Sequence, residues 1–179
     1  MTDAPLCLIR YSIGSSLPNV GKSTGASCMR IITGLDELQA IAGQETSLGE
    51  WFEVSQDRIN VFAEATNDRQ WIHVDVERAA RESPFKTTIA HGFLTLSLLP
   101  HLVNEAQRVE GLRLVVNYGV NKVRFPGPVT AGSRIRARIL LAKYTALSRG
   151  ADVEWQVTIE REGEIKPACI ASVLVRCYQ

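Results

Sequence analysis

Apolar and polar positions repeat with a helical period in the first part of the chain and with a two-residue period after Gly111. Between Ser55 and Ala65 (SQDRINVFAEA), Ile59, Phe62 and Ala63 recur at helical spacing behind a serine suited to cap a first turn. That pattern predicts a short amphipathic helix. Leu35, Leu38 and Ile41 share the spacing, and Val76 to Glu82 predicts another short helix with Asp75 as its cap. Phe93 to Gln107 is apolar almost all round (Phe93, Leu94, Leu96, Leu98, Leu99, Leu102, Val103), which predicts a helix inside the protein. Pro100 should kink or restart it, because proline removes a backbone donor and crowds the preceding turn.

Leu114 to Phe125, Ser133 to Leu147, Ala151 to Arg161 and Lys166 to Tyr178 read as four successive strands, with glycines in or near the connections. In the third, Val153, Trp155, Val157 and Ile159 fall on one face and Asp152, Glu154, Gln156, Thr158 and Glu160 on the other. Arg161-Glu-Gly-Glu looks like a tight hairpin turn. Long antiparallel strands after one buried helix predict an α+β fold in which a sheet wraps around that helix.

Residues 1–28 differ from the rest. They are rich in Ser, Gly and Pro and lack periodicity, so an irregular extension is expected before one domain over residues 29–179. The stretch Ser16-Leu-Pro-Asn-Val-Gly-Lys-Ser ends like a phosphate-binding loop, but Ser16 stands where that motif needs glycine and no helix signal follows. At 179 residues and a formal charge of +1, the chain has the size of one domain and no bulk attraction to nucleic acid or anionic membrane. No apolar run approaches the length that spans a bilayer, and the N-terminus lacks a secretory pattern. The four cysteines form no CxxC pair, so no metal site is expected and reduced thiols in a cytoplasmic protein are the default reading.

The chemistry concentrates in Phe62 to Ala79 (FAEATNDRQWIHVDVERA). Asp68 precedes His73 by five residues, a spacing that sets side chains roughly 140° apart in a helix and on opposite faces in a strand. The two converge only if the chain bends, and Asn67-Asp68-Arg69-Gln70 has the composition of a bend. A carboxylate and an imidazole brought together in this way form an acid–base pair. The simpler reading of either residue alone is a turn former or a capping group.

Three ordered blocks resemble the MaoC-like dehydratases, and among them the single-domain R-specific enoyl-CoA hydratases of hot-dog fold. Phe62, Ala65, Thr66, Asp68, Ile72, His73 and Ala79 match the first motif, Ile89-Ala90-His91-Gly92-Phe93 the second, and Arg124-Phe-Pro-Gly-Pro-Val129 the third. The resemblance covers roughly residues 50 to 178. Asn67, Gln70 and Trp71 depart from it, standing where the family has glycine, asparagine and proline. Asn67 can keep the bend, because asparagine tolerates a left-handed backbone best after glycine. Trp71 bears on substrate fit.

The resemblance implies reversible hydration of a trans-2-enoyl thioester to the (R)-3-hydroxyacyl thioester. Coenzyme A would be part of the substrate, and no further cofactor is needed. Asp68 and His73 would activate water, with the carboxyl group of Asp68 in an apolar tunnel, where desolvation disfavours its charge. The backbone N–H of Gly92 would polarise the thioester carbonyl, and Ser97 would support the dyad through a hydrogen bond. For His91, two readings stand: ordering the loop through a backbone hydrogen bond, or touching the substrate.

Arg134, Arg136 and Arg138 share one strand face, either as a solvated outer surface or as contacts for CoA phosphates, for which Lys122 and Arg124 are further candidates. The family's edge-to-edge sheet pairing implies a homodimer. The competing functions are a hot-dog thioesterase and a non-catalytic acyl-thioester binding or subunit module. The first needs an acid and water at the thioester carbonyl itself, and retention of both Asp68 and His73 argues against the second.

Overall fold

The computed structural model describes residues 29–179, so the expectations for residues 1–28, including Ser16–Ser23, Cys7 and Cys28, lie outside the described residues. In chain order the elements are β1 (Arg30–Thr33), α1 (Gly34–Ala40), β2 (Glu45–Leu48), β3 (Phe52–Glu53), α2 (Gln56–Thr66), α3 (Trp71–Val74) and α4 (Val76–Glu82). They continue with α5 (Gly92–Ser97), α6 (Leu99–Ala106), β4 (Gln107–Glu110), β5 (Leu114–Arg124), β6 (Arg134–Leu147), β7 (Gly150–Arg161) and β8 (Cys169–Tyr178).

The long strands build an antiparallel sheet in the order β2-β6-β7-β8-β5, with β3 also paired to β6. Consecutive hairpins join β6, β7 and β8, whereas β5 crosses to the far edge beside β8. The inward sides of β6 (Ile135, Ala137, Ile139, Leu141), β7 (Val153, Trp155, Val157, Ile159) and β8 (Cys169, Ala171, Val173) share one core with Leu94, Leu98, Leu99 and Leu102 of the central helix. This is the sheet around a helix that the two periods imply.

Ser55 caps α2 by accepting from the Arg58 amide, and Asp75 caps α4 by accepting from that of Arg78. The central helix restarts at Leu99 with Pro100 in its first turn, where a missing donor costs nothing.

Several expectations are corrected. The central helix is not apolar on every side in effect, since Phe93 is 70% exposed and sits edge-on to Phe125. The connection after Arg161 is longer than a tight hairpin. Gly163 turns it with a positive φ, but β8 begins only at Cys169. The short strands β1 to β4 carry too few residues to show a period; β1 and β4 form a separate parallel pair. Cys169 and Cys177 are free and buried, and burial pushes both thiols up to about 11.

Candidate functional site

The bend between Asp68 and His73 has a specific backbone origin. Helix α2 ends at Thr66, and Asn67 follows with φ 56 and ψ 18, a left-handed C-cap. That turn reverses the chain so that the one-turn helix α3 carries His73 back toward Asp68. Nitrogen and carboxylate-oxygen atoms of Asp68, His73 and His91 then lie within 4.8 Å of one another. Among residues with a side chain, asparagine supplies the left-handed geometry at low cost.

His73 is buried and sits beneath a stack of rings. Its imidazole lies 3.7 Å from that of His91 with 26° between planes, and Phe62 covers the other side of His91 at 5.1 Å. His73 Nδ1 donates to the Ile89 carbonyl at 2.7 Å, which fixes the neutral tautomer and leaves Nε2 as a lone-pair base. Burial lowers the His73 pKa, with smaller opposing influences from the Ile89 hydrogen bond and Asp68, and a further lowering from His91. The ring is therefore neutral at neutral pH and able to take a proton.

His91 makes a backbone hydrogen bond that orders the loop. Its Nε2 donates to the Asp68 carbonyl at 2.9 Å and approaches Asp68 Oδ2 at 3.9 Å. Its buried Nδ1 has no partner. Near-parallel stacking bears on the metal question too. Imidazole lone pairs lie in the ring plane, so two rings stacked in this way cannot aim them at one ion. The stack favours hydrogen bonding and proton transfer over ligation.

A residue with no motif to announce it holds His73 in place. Gln56, in the first turn of α2, donates through Nε2 to the His73 carbonyl at 2.8 Å, and its Oε1 accepts from Thr88 Oγ1. Ile89 donates its amide to the Ile72 carbonyl, so α3 is stitched to the segment that leads into His91 and Gly92. A polar residue just inside a capped helix normally reads as a solvated first-turn group, which gives no sequence signal for this role.

Gly92 opens the central helix, and its N–H is one of the first-turn donors without an intrahelical acceptor. A Cβ there would meet Phe125 Cδ2 at 2.9 Å, so any larger residue at this point in the second motif displaces the ring of the third. Ser97 lies elsewhere. It is exposed, makes no hydrogen bond to Asp68 or His73, and lines an apolar cavity of about 610 Å³ between the central helix and the sheet. The Asp68 side chain is 57% exposed, so the apolar enclosure implied by the resemblance is not supplied by this chain alone.

The candidate phosphate contacts divide by their partners. Arg134 pairs with Glu162, Arg136 with Glu160, and Arg138 with both Glu160 and Glu45, all on the outer face of β6. Arg136 also stacks on Trp51. Each of these guanidinium groups is already paired with at least one carboxylate. Lys122 and Arg124 are exposed beside a β-bulge in the edge strand β5, with Lys122 at φ 51, and neither has a carboxylate partner among the described residues.

Comparisons with known proteins bear on the family and the fold. The family profile described as a MaoC like domain matches residues 37–162. A protein named 3-hydroxyacyl-thioester dehydratase Z, from Mycobacterium tuberculosis strain H37Rv, is 48% identical over 149 residues, covering 83% of this chain and 98% of its own length. Nodulation protein N of Rhizobium leguminosarum bv. viciae is 44% identical over 142 residues, covering 77% of this chain and 87% of its own. The solved structure of an (R)-hydratase from A. caviae involved in PHA biosynthesis superposes with a TM-score of 0.61 at 21% identity, covering 75% and 94% of the two chains. At that identity the likeness speaks for the fold, which is the hot-dog fold.

Proposed function

The chain belongs to the MaoC-like dehydratases, enzymes that add water to or remove it from acyl thioesters, and we propose that it interconverts trans-2-enoyl-CoA and (R)-3-hydroxyacyl-CoA. The observation that carries this reading is the Asn67 turn, which brings Asp68 and His73 together while His73 keeps Nε2 free. Water is a poor nucleophile. Held between His73 Nε2 and the Asp68 carboxylate, it gives up a proton as its oxygen bonds to the β-carbon. Electron density moves through the α-carbon to the thioester oxygen, where the Gly92 N–H and the positive end of the central helix stabilise it. A proton returned through the dyad to the α-carbon completes the addition. His91 acts on this chemistry indirectly, by holding the Asp68 backbone and stacking on His73.

The apolar cavity provides a berth for the acyl chain, and Lys122 and Arg124 are the cations we assign to the CoA phosphates. No cofactor beyond the CoA of the substrate enters this mechanism. We further propose a cytoplasmic homodimer joined at β5. That edge strand exposes Leu114, Val115, Val116, Tyr118 and Val120, an apolar edge of the kind that proteins normally cover. Among the described residues, no helix is long and apolar enough to cross a membrane.

The test follows the loss of enoyl absorbance in crotonyl-CoA and longer enoyl-CoAs. Wild-type protein should consume at least one of them, and Asp68→Asn and His73→Gln should each abolish turnover while remaining folded. A folded wild-type protein inert toward every chain length refutes the hydratase reading. Turnover that survives in both variants refutes the residue assignment.

A further inference from the structure

The helix face that begins at Gly92 ends at a buried carboxamide. Gly92, Leu96, Leu99 and Val103 follow one another at spacings of three and four on one side of the α5–α6 rod, and Gln107, the extended first residue of β4, comes directly after it. Leu96, Leu99, Val103 and Gln107 line the 610 Å³ cavity, opposite Val120, Trp155, Val157, Val173 and Val175 of the sheet and its edge. An acyl chain whose thioester oxygen sits at the Gly92 N–H would run down this stripe; that placement rests on the function proposed above.

Gln107 is the polar residue at the end of this stripe. It is only 3% exposed, and its Oε1 accepts from Thr46 Oγ1 at 2.6 Å and from Ser47 Oγ at 2.9 Å. The hydrogen bonds of the carboxamide among the described residues all go to Oε1, which leaves the Nε2 amide group to the cavity that Gln107 lines. A hydrocarbon tail lying there would strip water from both amide hydrogens and replace it with nothing, whereas an oxygen on the tail would accept from them.

We propose that Gln107 recognises an oxygen carried far along the acyl chain, making long-chain thioesters with a distal keto or hydroxyl group the preferred ligands. The reach is set by the helix. From Gly92 to Ala106 is fourteen residues, on the order of 21 Å at ~1.5 Å per residue, and Gln107 follows in extended backbone. An extended chain covers ~1.2 Å per bond, and the Gln107 side chain reaches back into the cavity, so the oxygen falls roughly fourteen to eighteen bonds from the thioester carbon. Asn104 and Arg108 line the same cavity beside Gln107 and add polar character to that end.

Isothermal titration with two saturated thioesters, hexadecanoyl-CoA and 15-oxohexadecanoyl-CoA, tests this without turnover. The wild-type protein should bind the oxo ester about tenfold more tightly. Gln107→Glu keeps an oxygen for Thr46 and Ser47 but puts an acceptor where the donor was, and it should lose or reverse the preference. Gln107→Met should lose it as well, with both variants checked for folding by their thermal transitions. Equal affinities in the wild type, a preference that persists in the folded variants, or no binding of either ester overturns the proposal. Because neither ester can be hydrated, failure of the enoyl-CoA absorbance assay would strike the proposed reaction and leave this binding result standing.

Discussion

Gly92→Ala adds one methyl group and leaves every ionisable side chain of the site in place. The new Cβ would stand 2.9 Å from Phe125 Cδ2 and 3.0 Å from Cε2, about 0.5 Å inside ordinary van der Waals contact. Phe125 is 41% exposed, so its ring can swing toward solvent rather than force the backbone apart. Displacing it costs on the order of 1 kcal/mol, and alanine recovers roughly 0.5–1 kcal/mol over glycine in a helix, so the two nearly cancel. The thermal midpoint should move by no more than about 4 °C.

The rate should behave differently. Complete removal of an oxyanion donor costs on the order of 10²- to 10³-fold, which sets a ceiling, and a donor crowded by a methyl and a shifted ring should lose about 10- to 100-fold in kcat/KM. The loss should fall mainly on kcat, because the charge being stabilised develops only in the transition state. The assay is enoyl-CoA hydration on protein of verified midpoint. A variant with wild-type stability and kcat/KM within twofold of wild type would refute Gly92 as the carbonyl-polarising group. A large stability loss with unchanged turnover per folded molecule would reduce Gly92 to a packing residue for Phe125.

Burial lowers the His73 pKa below its ordinary ~6.5, so the folded protein binds fewer protons there than the unfolded chain does. Its contribution to stability is complete above ~6.5 and declines as pH falls through that value toward the folded pKa, and the acid limb of the pH–rate profile should have its midpoint below ~6.5. His91→Phe keeps a ring against His73 and Phe62 but removes the donor to the Asp68 carbonyl; kcat should fall about tenfold, and the His73 limb should move to higher pH because the lowering influence of His91 on His73 is gone. Asn67→Gly should be tolerated, whereas Asn67→Val forces a β-branched residue to φ 56 and should cost about 1–2 kcal/mol in urea unfolding, together with most of the activity. Arg134→Gln and Arg136→Gln should leave KM for CoA thioesters unchanged. Lys122→Gln combined with Arg124→Gln should raise it several-fold for the CoA ester but not for a pantetheine thioester, as steady-state kinetics on both substrates would show.

The strands β5 to β8 were legible because each is long enough to show a two-residue period, and α2 and α4 because capping residues stand directly before their apolar positions. The short strands were not, since two to four residues fit either period equally well. Spacing alone made Asp68 and His73 a conditional pair, one that meets only if the chain turns between them, and Asn67 in a bend-forming stretch was the local sign that it does. A left-handed turn at one residue is a local property, and local properties are written in adjacent residues.

What joined that pair to the rest of the site is non-local. Stacking of His91 on His73 brings together residues eighteen apart, the Gln56 bridge to Thr88 spans thirty-two, and the Thr46 contact with Gln107 spans sixty-one. The arginines of β6 show the same division. Their shared face followed from alternation, but their engagement by Glu45, Glu160 and Glu162 depended on which strands lie alongside. Sequence therefore determined the longer elements, the turn and the candidate acid–base pair, because φ/ψ preference and periodicity act within a few residues. Tertiary structure decided which nitrogen of His73 is free, which ring crowds Gly92, and where the Gln107 amide meets the cavity. Each of those depends on distant segments packing to within hydrogen-bond or van der Waals distance.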